Sequence, residues 1–494
     1  MTDTALKQKY KMFKNINPKL FLVIGVLTMT ASHMSYSIDL VAWISSVPFL
    51  IYLNTTKGLK SRLLFVLALI ISWSLVTAKI VTTPIPFAMV FLFSIPISLF
   101  HLPAYLLWDK FKKYKWSFLL FPIILTIMEW VQYTFTPFAS WGVAAYTQNH
   151  SLSVMQTVSI FGMPGLSFLI YWVNISVAEI ISNKKTTYFT FQIPLTVFVF
   201  LVMFGALRFD LYKSKSKDTI TVATVGTNSE ISGLPFPSTE LNNTYKDSLL
   251  LRTQFAAKNG AQIVSWNEAA IFIQPAEEDK WQVTLSSLAK ELNISLIASY
   301  VVPVSIEPLK LENKFLSINS KGEIVYQYLK HQPVPGEPSI KGKEPYKIMT
   351  DKGLNIGGAI CYDFDYPYIA KEFGKLNANI VAIPSSDWRG IDPLHARMAA
   401  FRAIEQGYSL LRSTRFGLSA AITPLGEITS QQSSFDNNTK IMVAELPTKK
   451  ITTLYGIIGD LFIYCCFGIL IVVFVSIYTQ KKLTNKLNTN DRLT

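Results

Sequence analysis

The sequence predicts a bundle of about eight membrane-spanning helices joined to an extracytoplasmic α/β domain. Half of the 494 residues are apolar and only 16% are charged, which is a low charged fraction for a soluble protein. Long apolar segments fill residues 1–208, strand-like and helix-like segments alternate in 209–454, and one apolar segment follows in 455–494. These observations divide the chain into two membrane parts with an α/β domain between them.

The apolar segments are candidates for spanning helices, which need ~20 residues each. They lie near residues 20–34, 39–54, 62–80, 86–108, 117–136, 166–182, 190–208 and 455–478. The first resembles a signal peptide, but no small-residue cleavage site follows it, so we expect it to remain as the first helix. Seven helices are therefore expected in 1–208 and one in 455–494.

Every second loop between these segments is basic, which predicts that both termini are cytoplasmic and that residues 209–454 lie on the opposite side. This topology signal also accounts for the net charge of +14, so we expect no nucleic-acid partner. The basic residues are Lys7, Lys9, Lys11, Lys14, Lys19, Lys57, Lys60, Arg62, Lys110, Lys112, Lys113, Lys115, Lys184, Lys185, Lys481, Lys482, Lys486 and Arg492.

One extracytoplasmic loop, residues 136–165, is rich in aromatic, small and amide side chains. A carboxylate at the end of the preceding span is costly in lipid and indicates a function, whereas the aromatic residues are also typical of an interfacial belt. We favour a combined interpretation, in which the belt shapes an opening for lipid. The candidate lipid-access residues are Glu129, Trp130, Trp141, Tyr146 and Gln148.

Residues 209–454 show the alternation of strands and helices that predicts a layered α/β domain. Strand-like segments lie near 219–225, 261–266, 295–300, 316–330, 355–361, 379–384, 409–415, 418–424 and 440–445. Helix-like segments lie near 238–259, 277–292, 367–375 and 394–408.

Cys361 is the one cysteine outside the last apolar segment, and it follows the apolar stretch 356–360. A lone cysteine of this kind is either a small buried hydrophobic residue or, with a base and an electrostatic partner, a nucleophile. Cys465 and Cys466 are adjacent and lie in the last span, so we expect packing or lipid contact there and no disulfide. No metal-type spacing and no cofactor-binding motif is present, so neither a metal nor a cofactor is expected.

Two other strand-like segments end on side chains that suit thiol chemistry, Glu268 and Lys330. A carboxylate can take the proton of a thiol and return it to a leaving group. A lysine favours the thiolate and stabilises the oxyanion of a tetrahedral intermediate. Glu337 supplies a second carboxylate near Lys330. Most such charges are solvated surface groups, but their combination with Cys361 predicts an acyl-transfer site.

The order of these motifs resembles the nitrilase, or carbon–nitrogen hydrolase, superfamily with its Glu–Lys–Cys triad. The motifs are Trp266-Asn-Glu268-Ala-Ala, Tyr328-x-Lys330-His-x-x-Val-Pro-Gly-Glu337, Ile360-Cys361-Tyr362-Asp363 and Ser385-Ser-Asp387-Trp388. Together with Glu129-Trp130, the segment 141–148 and the helices at both ends, the chain is similar to the apolipoprotein N-acyltransferases, the membrane branch of that superfamily.

This resemblance implies an αββα sandwich in 209–454 and a ping-pong acyl transfer without cofactor or metal. A phospholipid would acylate Cys361 as a thioester, and the free α-amino group of a diacylglyceryl-cysteine on an apolipoprotein would take the chain. Glu268 would be the general base and acid, and Lys330 the oxyanion partner. The supporting or substrate-binding residues would be Trp266, Glu337, Tyr362, Asp363 and Trp388. We expect a monomer in the bacterial inner membrane, with 209–454 in the periplasm and a basic cytoplasmic tail.

The chain departs from the family pattern at positions that support the triad. Asn267 stands where the family has proline, the segment 334–337 and the segment 385–388 are each one residue short, and Asp363 replaces a glutamate. The loop 228–242 lacks the tryptophan that the family implies. These departures leave the triad complete.

Two alternatives remain at the level of sequence. The first is a membrane-tethered amidase or nitrilase-like hydrolase, in which water accepts the acyl group; apolar character in loops 136–148 and 228–242 would favour the transferase instead. The second is a non-catalytic membrane scaffold, against which the complete triad argues. His150, His331 and His395 are scattered in sequence and are not expected to bind a metal.

Overall fold

The computed structural model describes residues 16–182, 189–213, 218–229, 234–436 and 439–490. The first part is a bundle of apolar helices. Its helices are α1 (Pro18–Ser32), α2 (Asp39–Ala42), α3 (Val47–Thr55), α4 (Leu59–Ala78), α5 (Met89–Phe111), α6 (Leu120–Phe135), α7 (Leu152–Met155), α8 (Val158–Ser182) and α9 (Phe189–Lys213).

Among the described residues, six helices are long and apolar enough to cross a membrane. They are Leu59–Ala78, Met89–Phe111, Ser117–Phe135, Val158–Ser182, Phe191–Lys213 and Leu461–Leu483. The first two predicted spans are shorter than this: α1 has 15 residues, and the span near 39–54 is divided into α2 and α3. The segment between them contains Ser45 and Ser46 and leads into Pro48, which suits the start of a helix better than its interior.

Helix α8 starts at Val158, before the predicted span near 166–182, and its backbone is interrupted by a non-helical kink at Gly162. Gly162 has φ +66°, a conformation that favours glycine. A Cβ atom at this position would clash with the ring of Tyr455. Gly162 therefore allows the segment after the α/β domain to pack directly on α8.

The basic loops that the structure describes lie at one end of the bundle. The side chain of Arg62 binds Asp109 with an N···O distance of 2.5 Å, and Lys112 Nζ donates to Leu53 O at 2.8 Å. The backbone N–H of Lys115 donates to the side chain of Gln480 in the last helix at 3.1 Å. Lys7, Lys9, Lys11, Lys14, Lys184, Lys185 and Arg492 lie outside the described residues.

The α/β domain contains two six-stranded sheets. The first has the order β12-β1-β2-β3-β4-β5 and the second the order β11-β10-β9-β8-β7-β6. The strands are β1 (Thr219–Val225), β2 (Ile263–Trp266), β3 (Ser295–Ile306), β4 (Leu309–Ile318), β5 (Ile324–Leu329), β6 (Met349–Asp351), β7 (Leu354–Gly358), β8 (Ile380–Ser386), β9 (Ser409–Arg415), β10 (Leu418–Ile422), β11 (Ile428–Ser433) and β12 (Ile441–Pro447).

The two sheets pack face to face, with Ser413 Oγ on β9 donating to Ser265 O on β2 at 2.8 Å. Helices α10 (Thr239–Lys258) and α11 (Glu278–Leu292) cover the first sheet, where Leu249 and Leu285 join one apolar core. Helices α12 (Pro367–Lys375) and α13 (Leu394–Gln406) cover the second. The fold class that the sequence predicts is confirmed.

Each sheet has a parallel centre, β1-β2-β3 in the first and β7-β8-β9 in the second. Because the carboxyl ends of parallel strands lie at one edge of a sheet, the segments that follow β2, β7 and β8 converge. β6 and β11 have no counterpart in the sequence prediction, since β6 is very short and β11 is a polar edge strand.

The second helix layer lies against the membrane bundle. The backbone N–H of Met163 on α8 donates to Glu405 Oε1 on α13 at 2.8 Å. After β12 the chain forms α14 (Leu454–Ile458) and α15 (Leu461–Asn490), and Thr453 Oγ1 donates to Glu405 O at 2.6 Å. Helix α9 continues to Lys213, beyond the predicted boundary at residue 208.

Candidate active site

Cys361 lies in a tight turn, not on the strand that the sequence predicts. β7 ends at Gly358, and a 3₁₀ turn begins at Cys361. Cys361 has φ +47°, in the left-handed region that a side chain other than glycine rarely adopts, so the surrounding contacts must hold it there. Its Sγ is buried and donates to Ser386 O at the end of β8, at 3.5 Å.

Glu268 follows β2 and reaches the same region from the first sheet. Its backbone N–H donates to Ser385 O on β8 at 3.3 Å, which joins the two sheets at the site. Its Oε1 accepts hydrogen bonds from Lys330 Nζ and from Asn313 Nδ2, both at 2.7 Å. The carboxylate is therefore oriented by two donors and almost excluded from water.

Lys330 follows β5 and is held between two carboxylates. Its Nζ donates to Glu268 Oε1 and to Glu337 Oε2, each at 2.7 Å. Burial alone would lower the pKa of Lys330, but Glu268 and Glu337 raise it well above its ordinary value. Lys330 is a charged ammonium in this structure.

Glu337 supports Lys330 and has its own set of donors. It accepts from Ser339 Oγ at 2.5 Å, from the backbone N–H of Val334 at 2.9 Å and from Asn313 Nδ2 at 3.1 Å. Burial acts to raise the pKa of Glu337, but Lys330, Ser339 and the backbone N–H of Val334 lower it overall, so it stays ionised. Asn313, which bridges both carboxylates, is absent from the sequence prediction because a lone asparagine on a strand gives no signal.

The thiol of Cys361 is neutral at rest. Burial raises its pKa well above the ordinary value and the negative charge of Glu268 raises it further, whereas Lys330 lowers it. The carboxylate of Glu268 can remove this proton while the sulfur attacks. The thiol is therefore activated during the reaction and not before it.

Asp363 ties the Cys361 turn to the segment that carries Lys330. Its Oδ2 accepts from the backbone N–H of Ile360 at 3.0 Å and from the hydroxyl of Tyr328 at 2.8 Å. Its Oδ1 accepts from the backbone N–H of Gln332 at 2.6 Å. Three donors on two elements thus need both carboxylate oxygens.

Replacing Asp363 by asparagine is expected to lower the acyl-transfer rate by about 10²-fold, because an amide NH₂ would then face a backbone N–H and displace the turn. Asp363→Glu keeps both acceptor oxygens and should retain more activity, although the site is fully enclosed and an added methylene strains it. The rates of both variants are compared with their melting temperatures. Equal activity of the asparagine variant and the parent would contradict this role.

A cavity of about 290 Å³ opens onto Cys361 between the α/β domain and the bundle. Its wall is largely apolar, and much of it comes from the membrane part. The lining residues are Met34, Ile80, Val81, Ile85, Pro86, Met89, Phe93, Ile97, Phe138, Trp141, Val334, Pro335, Gly336, Cys361, Tyr362, Ser386, Trp388, Ile391 and His395. An apolar wall of this kind suits a hydrocarbon chain.

Tyr362 and Trp388 line this cavity, and their roles in substrate binding stay predictions. The hydroxyl of Tyr362 donates to Pro137 O at 2.7 Å, and Trp388 Nε1 donates to Ile80 O at 2.6 Å, so both also touch the bundle. Trp266 does not lie at the site. Its ring is in the core of the first sheet, where Nε1 donates to Thr253 Oγ1 at 3.0 Å.

Of the five candidate lipid-access residues, Trp141 alone is among the residues that line the cavity. Glu129 lies inside the bundle, where its Oε1 accepts from the backbone N–H of Ala144 at 2.8 Å and so anchors the loop that carries Trp141. Trp130 packs on Phe467, with ring centroids 6.1 Å apart. The remaining two residues, Tyr146 and Gln148, are buried in contacts with Phe401, Trp43 and Asp39.

His395 lies beside the nucleophile, although the two residues are far apart in sequence. Ligand-type atoms of Cys361, Asp387 and His395 lie within 4.8 Å of one another. Both ring nitrogens of His395 contact carboxylates, and Arg412 Nη2 lies 2.8 Å from Asp387 Oδ1. The permanent charge of Arg412 opposes a metal cation at this position. Sequence spacing gave no sign of this group, because its members come from three separate elements.

Family models match both parts of the chain. The model described as the apolipoprotein N-acyltransferase N-terminal domain matches residues 25–176, and the carbon-nitrogen hydrolase model matches residues 221–455.

Three relatives named apolipoprotein N-acyltransferase are similar to the chain. That of Borreliella burgdorferi is 25% identical, and the match covers 75% of this chain and 77% of the relative. That of Rickettsia prowazekii is 23% identical over the same shares, 75% and 77%. That of Haemophilus ducreyi is 26% identical, covering 69% and 70%.

Two solved structures are similar to part of the chain. An amidase from Nesterenkonia sp. is 18% identical, covers 47% of this chain and 91% of its own, and has a TM-score of 0.38. A carbon-nitrogen hydrolase from Helicobacter pylori is 17% identical, covers 47% and 89%, and has a TM-score of 0.39.

Proposed function

The chain belongs to the apolipoprotein N-acyltransferase family, the membrane branch of the carbon–nitrogen hydrolases, and from this membership we propose the reaction of its site. Cys361 takes an acyl chain from a phospholipid and passes it to the free α-amino group of an N-terminal diacylglyceryl-cysteine on an apolipoprotein. The observation that carries this proposal is the apolar cavity that joins Cys361 to the membrane bundle. Burial of a hydrocarbon chain in such a cavity is favourable, whereas a small polar amide gains little from it.

In the first half-reaction the sulfur of Cys361 attacks the ester carbonyl of the phospholipid while Glu268 takes the thiol proton. Lys330, held by Glu268 and Glu337, stabilises the oxyanion of the tetrahedral intermediate. The carbon–oxygen ester bond breaks, Glu268 returns the proton to the departing lysophospholipid alcohol, and a thioester remains on Cys361.

In the second half-reaction the acceptor amine attacks the thioester carbonyl, and Glu268 removes the proton that the amine must lose. The carbon–sulfur bond breaks as the amide bond forms, and the thiolate of Cys361 regains a proton from Glu268. Lys330 again faces the negative charge, so one set of groups serves both steps. No cofactor enters this scheme.

Intact mass of the purified protein after incubation with phospholipid vesicles tests the proposal. Without an acceptor amine the parent should accumulate an acyl adduct that neutral hydroxylamine removes, because the adduct is a thioester. Addition of an amine that mimics the diacylglyceryl-cysteine should discharge the adduct and acylate the amine. Rapid loss of the adduct to free fatty acid in water alone would favour the tethered hydrolase. No adduct under any condition would overturn the proposal.

We propose that the protein lies in the bacterial inner membrane with residues 209–454 in the periplasm. The clustering of the described basic loops at one end of the bundle supports this orientation. We also propose that the protein acts as a monomer.

A cysteine introduced at Lys321, an exposed residue of the β4–β5 turn, should react with a membrane-impermeant thiol reagent in intact spheroplasts. A cysteine introduced at Lys486 should react only after the membrane is permeabilised, because that segment is placed in the cytoplasm. The parent, with its native cysteines, is the background for both. The reverse pattern of labelling would contradict the topology.

A further inference from the structure

A network of hydrogen-bonded buried side chains, the His395 network, extends from the membrane bundle to the nucleophile. Trp141 Nε1 donates to Asp365 Oδ2 at 2.9 Å, and His395 Nε2 lies 3.0 Å from Asp365 Oδ1. On its other side His395 Nδ1 lies 2.7 Å from Asp387 Oδ1 and 3.0 Å from Arg412 Nη2, which itself donates to Asp387 Oδ1 at 2.8 Å. All of these contacts are shorter than about 3.2 Å, the upper limit of a normal N–H···O bond.

The charges within the His395 network balance only when His395 is protonated. Asp365 and Asp387 carry two negative charges, and Arg412 carries one positive charge. Burial would lower the pKa of His395, but Asp365 and Asp387 raise it to about 9. A protonated imidazole donates from both nitrogens and so links the two carboxylates directly.

At one end of the His395 network, Asp365 is hydrogen-bonded to the bundle loop 136–141. The backbone N–H and the hydroxyl of Ser140 both donate to Asp365 O, at 3.2 and 2.6 Å. Trp141 supplies the third hydrogen bond. Asp365 also belongs to the turn that begins at Cys361, so the bundle loop holds the far end of the nucleophile turn.

The other end of the His395 network lies at the nucleophile. Cys361, Asp387 and His395 have polar atoms within 4.8 Å of one another, and Cys361 Sγ donates to Ser386 O, next to Asp387. Trp141, His395 and Cys361 also line the same cavity. A group that occupies the cavity therefore meets the indole, the imidazole and the thiol together.

We infer that His395 is a positioning residue, which couples the seating of the acyl donor against Trp141 to the geometry of Cys361 through Asp365 and Asp387. The inference rests on the proposed function, because it concerns the first half-reaction of that function. His395 does not touch the reacting atoms in this role. It keeps the turn of Cys361, the end of β8 and the bundle loop in one arrangement.

The test measures the rate of thioester formation on Cys361 as a function of phospholipid concentration. His395→Gln removes the double donor, and Trp141→Phe keeps an aromatic ring in the cavity but removes the N–H that binds Asp365. Each should lower the maximal rate by about 10- to 100-fold with little change in the half-saturating donor concentration, since displacement of a reacting group by ~1 Å has effects of this size.

Trp388→Phe is the matched control. Trp388 lines the same cavity, and its N–H also binds the bundle, at Ile80 O. It makes no hydrogen bond within the His395 network. The double variant of His395→Gln with Trp141→Phe should be no slower than the slower single variant, because both changes break one link. The double variant of His395→Gln with Trp388→Phe should show the product of the two single effects.

The pH profile separates positioning from mere packing. The groups that face His395 are Asp365 from the nucleophile turn, Asp387 after β8, Arg412 on β9 and the thiol of Cys361. Loss of the His395 proton should lower the parent rate above a pH of about 9, the pKa of His395. His395→Gln should be slower than the parent at every pH and should lack this decline. Any effect of Cys361 ionisation at high pH should be common to both proteins.

A rescue variant gives a second measure. In His395→Gln combined with Asp365→Asn, the amide of residue 365 can still accept from Trp141 and can donate to the glutamine. The hydrogen bonds of the His395 network are thus restored between uncharged groups. Part of the lost rate, about tenfold, should return.

Several results would overturn the inference: His395→Gln as fast as the parent, the same alkaline decline in both proteins, multiplied effects in the variant with Trp141→Phe, or a loss of rate that follows a lowered melting temperature. A parent protein that forms no adduct would instead overturn the proposed function itself. The two failures are thus distinguishable.

Discussion

Cys361→Ser should lower turnover by about 10³- to 10⁶-fold, a barrier increase of ~4–8 kcal/mol, because the variant loses its thiol nucleophile. Serine has nearly the same shape and can keep the hydrogen bond to Ser386 O, so the turn should persist. Its hydroxyl is a far weaker acid than a thiol, and a carboxylate such as Glu268 should activate it poorly. The measurements are turnover with phospholipid and acceptor amine, and intact mass without the acceptor.

Cys361→Ala is the control for this experiment. It should show no hydroxylamine-labile adduct, while Cys465→Ala and Cys466→Ala should form the adduct like the parent. Cys465 and Cys466 lie in the last helix, and neither lines the cavity. An adduct that persists in Cys361→Ala, or that maps to Cys465 or Cys466, would contradict the assignment of the nucleophile.

Lys330→Met should abolish measurable thioester formation, because the oxyanion of the first intermediate then has no cation beside it. Removal of one preorganised donor from an oxyanion site typically costs about 10²–10³-fold, and loss of a buried charge in a dry site costs more. The same change leaves Glu268 and Glu337 as unpaired buried carboxylates, which destabilises the fold by roughly 3–5 kcal/mol. Rate and stability must therefore be measured together.

Lys330→Met combined with Glu337→Gln separates the two effects. The second change removes one unpaired charge, so the melting temperature should recover in part. Adduct formation should stay absent, because no cation is restored. If the double variant regains the parent rate, Lys330 acts through stability alone and has no role at the oxyanion. Glu337→Gln by itself tests how far the second carboxylate holds Lys330 in place.

Much of the membrane part could be predicted from the sequence, since apolar segments and basic loops are local signals. The two segments before residue 56 were the hardest, because α1, α2 and α3 are short and their limits depend on packing. The start of α8 also differs from the prediction. The backbone of Gly162 is not helical and lies in close contact with Tyr455, so a kink separates the first turn of α8 from the part that the prediction covers.

The roles of individual aromatic residues could not be predicted in the same way. Trp266 and Trp388 both stand in family motifs near strand ends, yet Trp266 lies in a core and Trp388 lines the cavity. Residues that alternate along a strand point to opposite faces, and which face meets the cavity depends on the packing of the two sheets. Glu129 shows the same limit, since its partners are the hydroxyl of Tyr171 and the backbone of the loop that carries Trp141.

The residue patterns predict the membrane character, the α/β class of the domain between the spans, and Glu268, Lys330 and Cys361 as candidate reacting groups. The folded arrangement alone shows that Asn313 bridges two carboxylates and that Asp365, His395 and Asp387 connect the bundle to the nucleophile. Apolar periodicity and strand ends are recorded in neighbouring residues, whereas a buried polar network is made of single side chains from distant elements. Such a network exists only where sheet, turn and bundle meet.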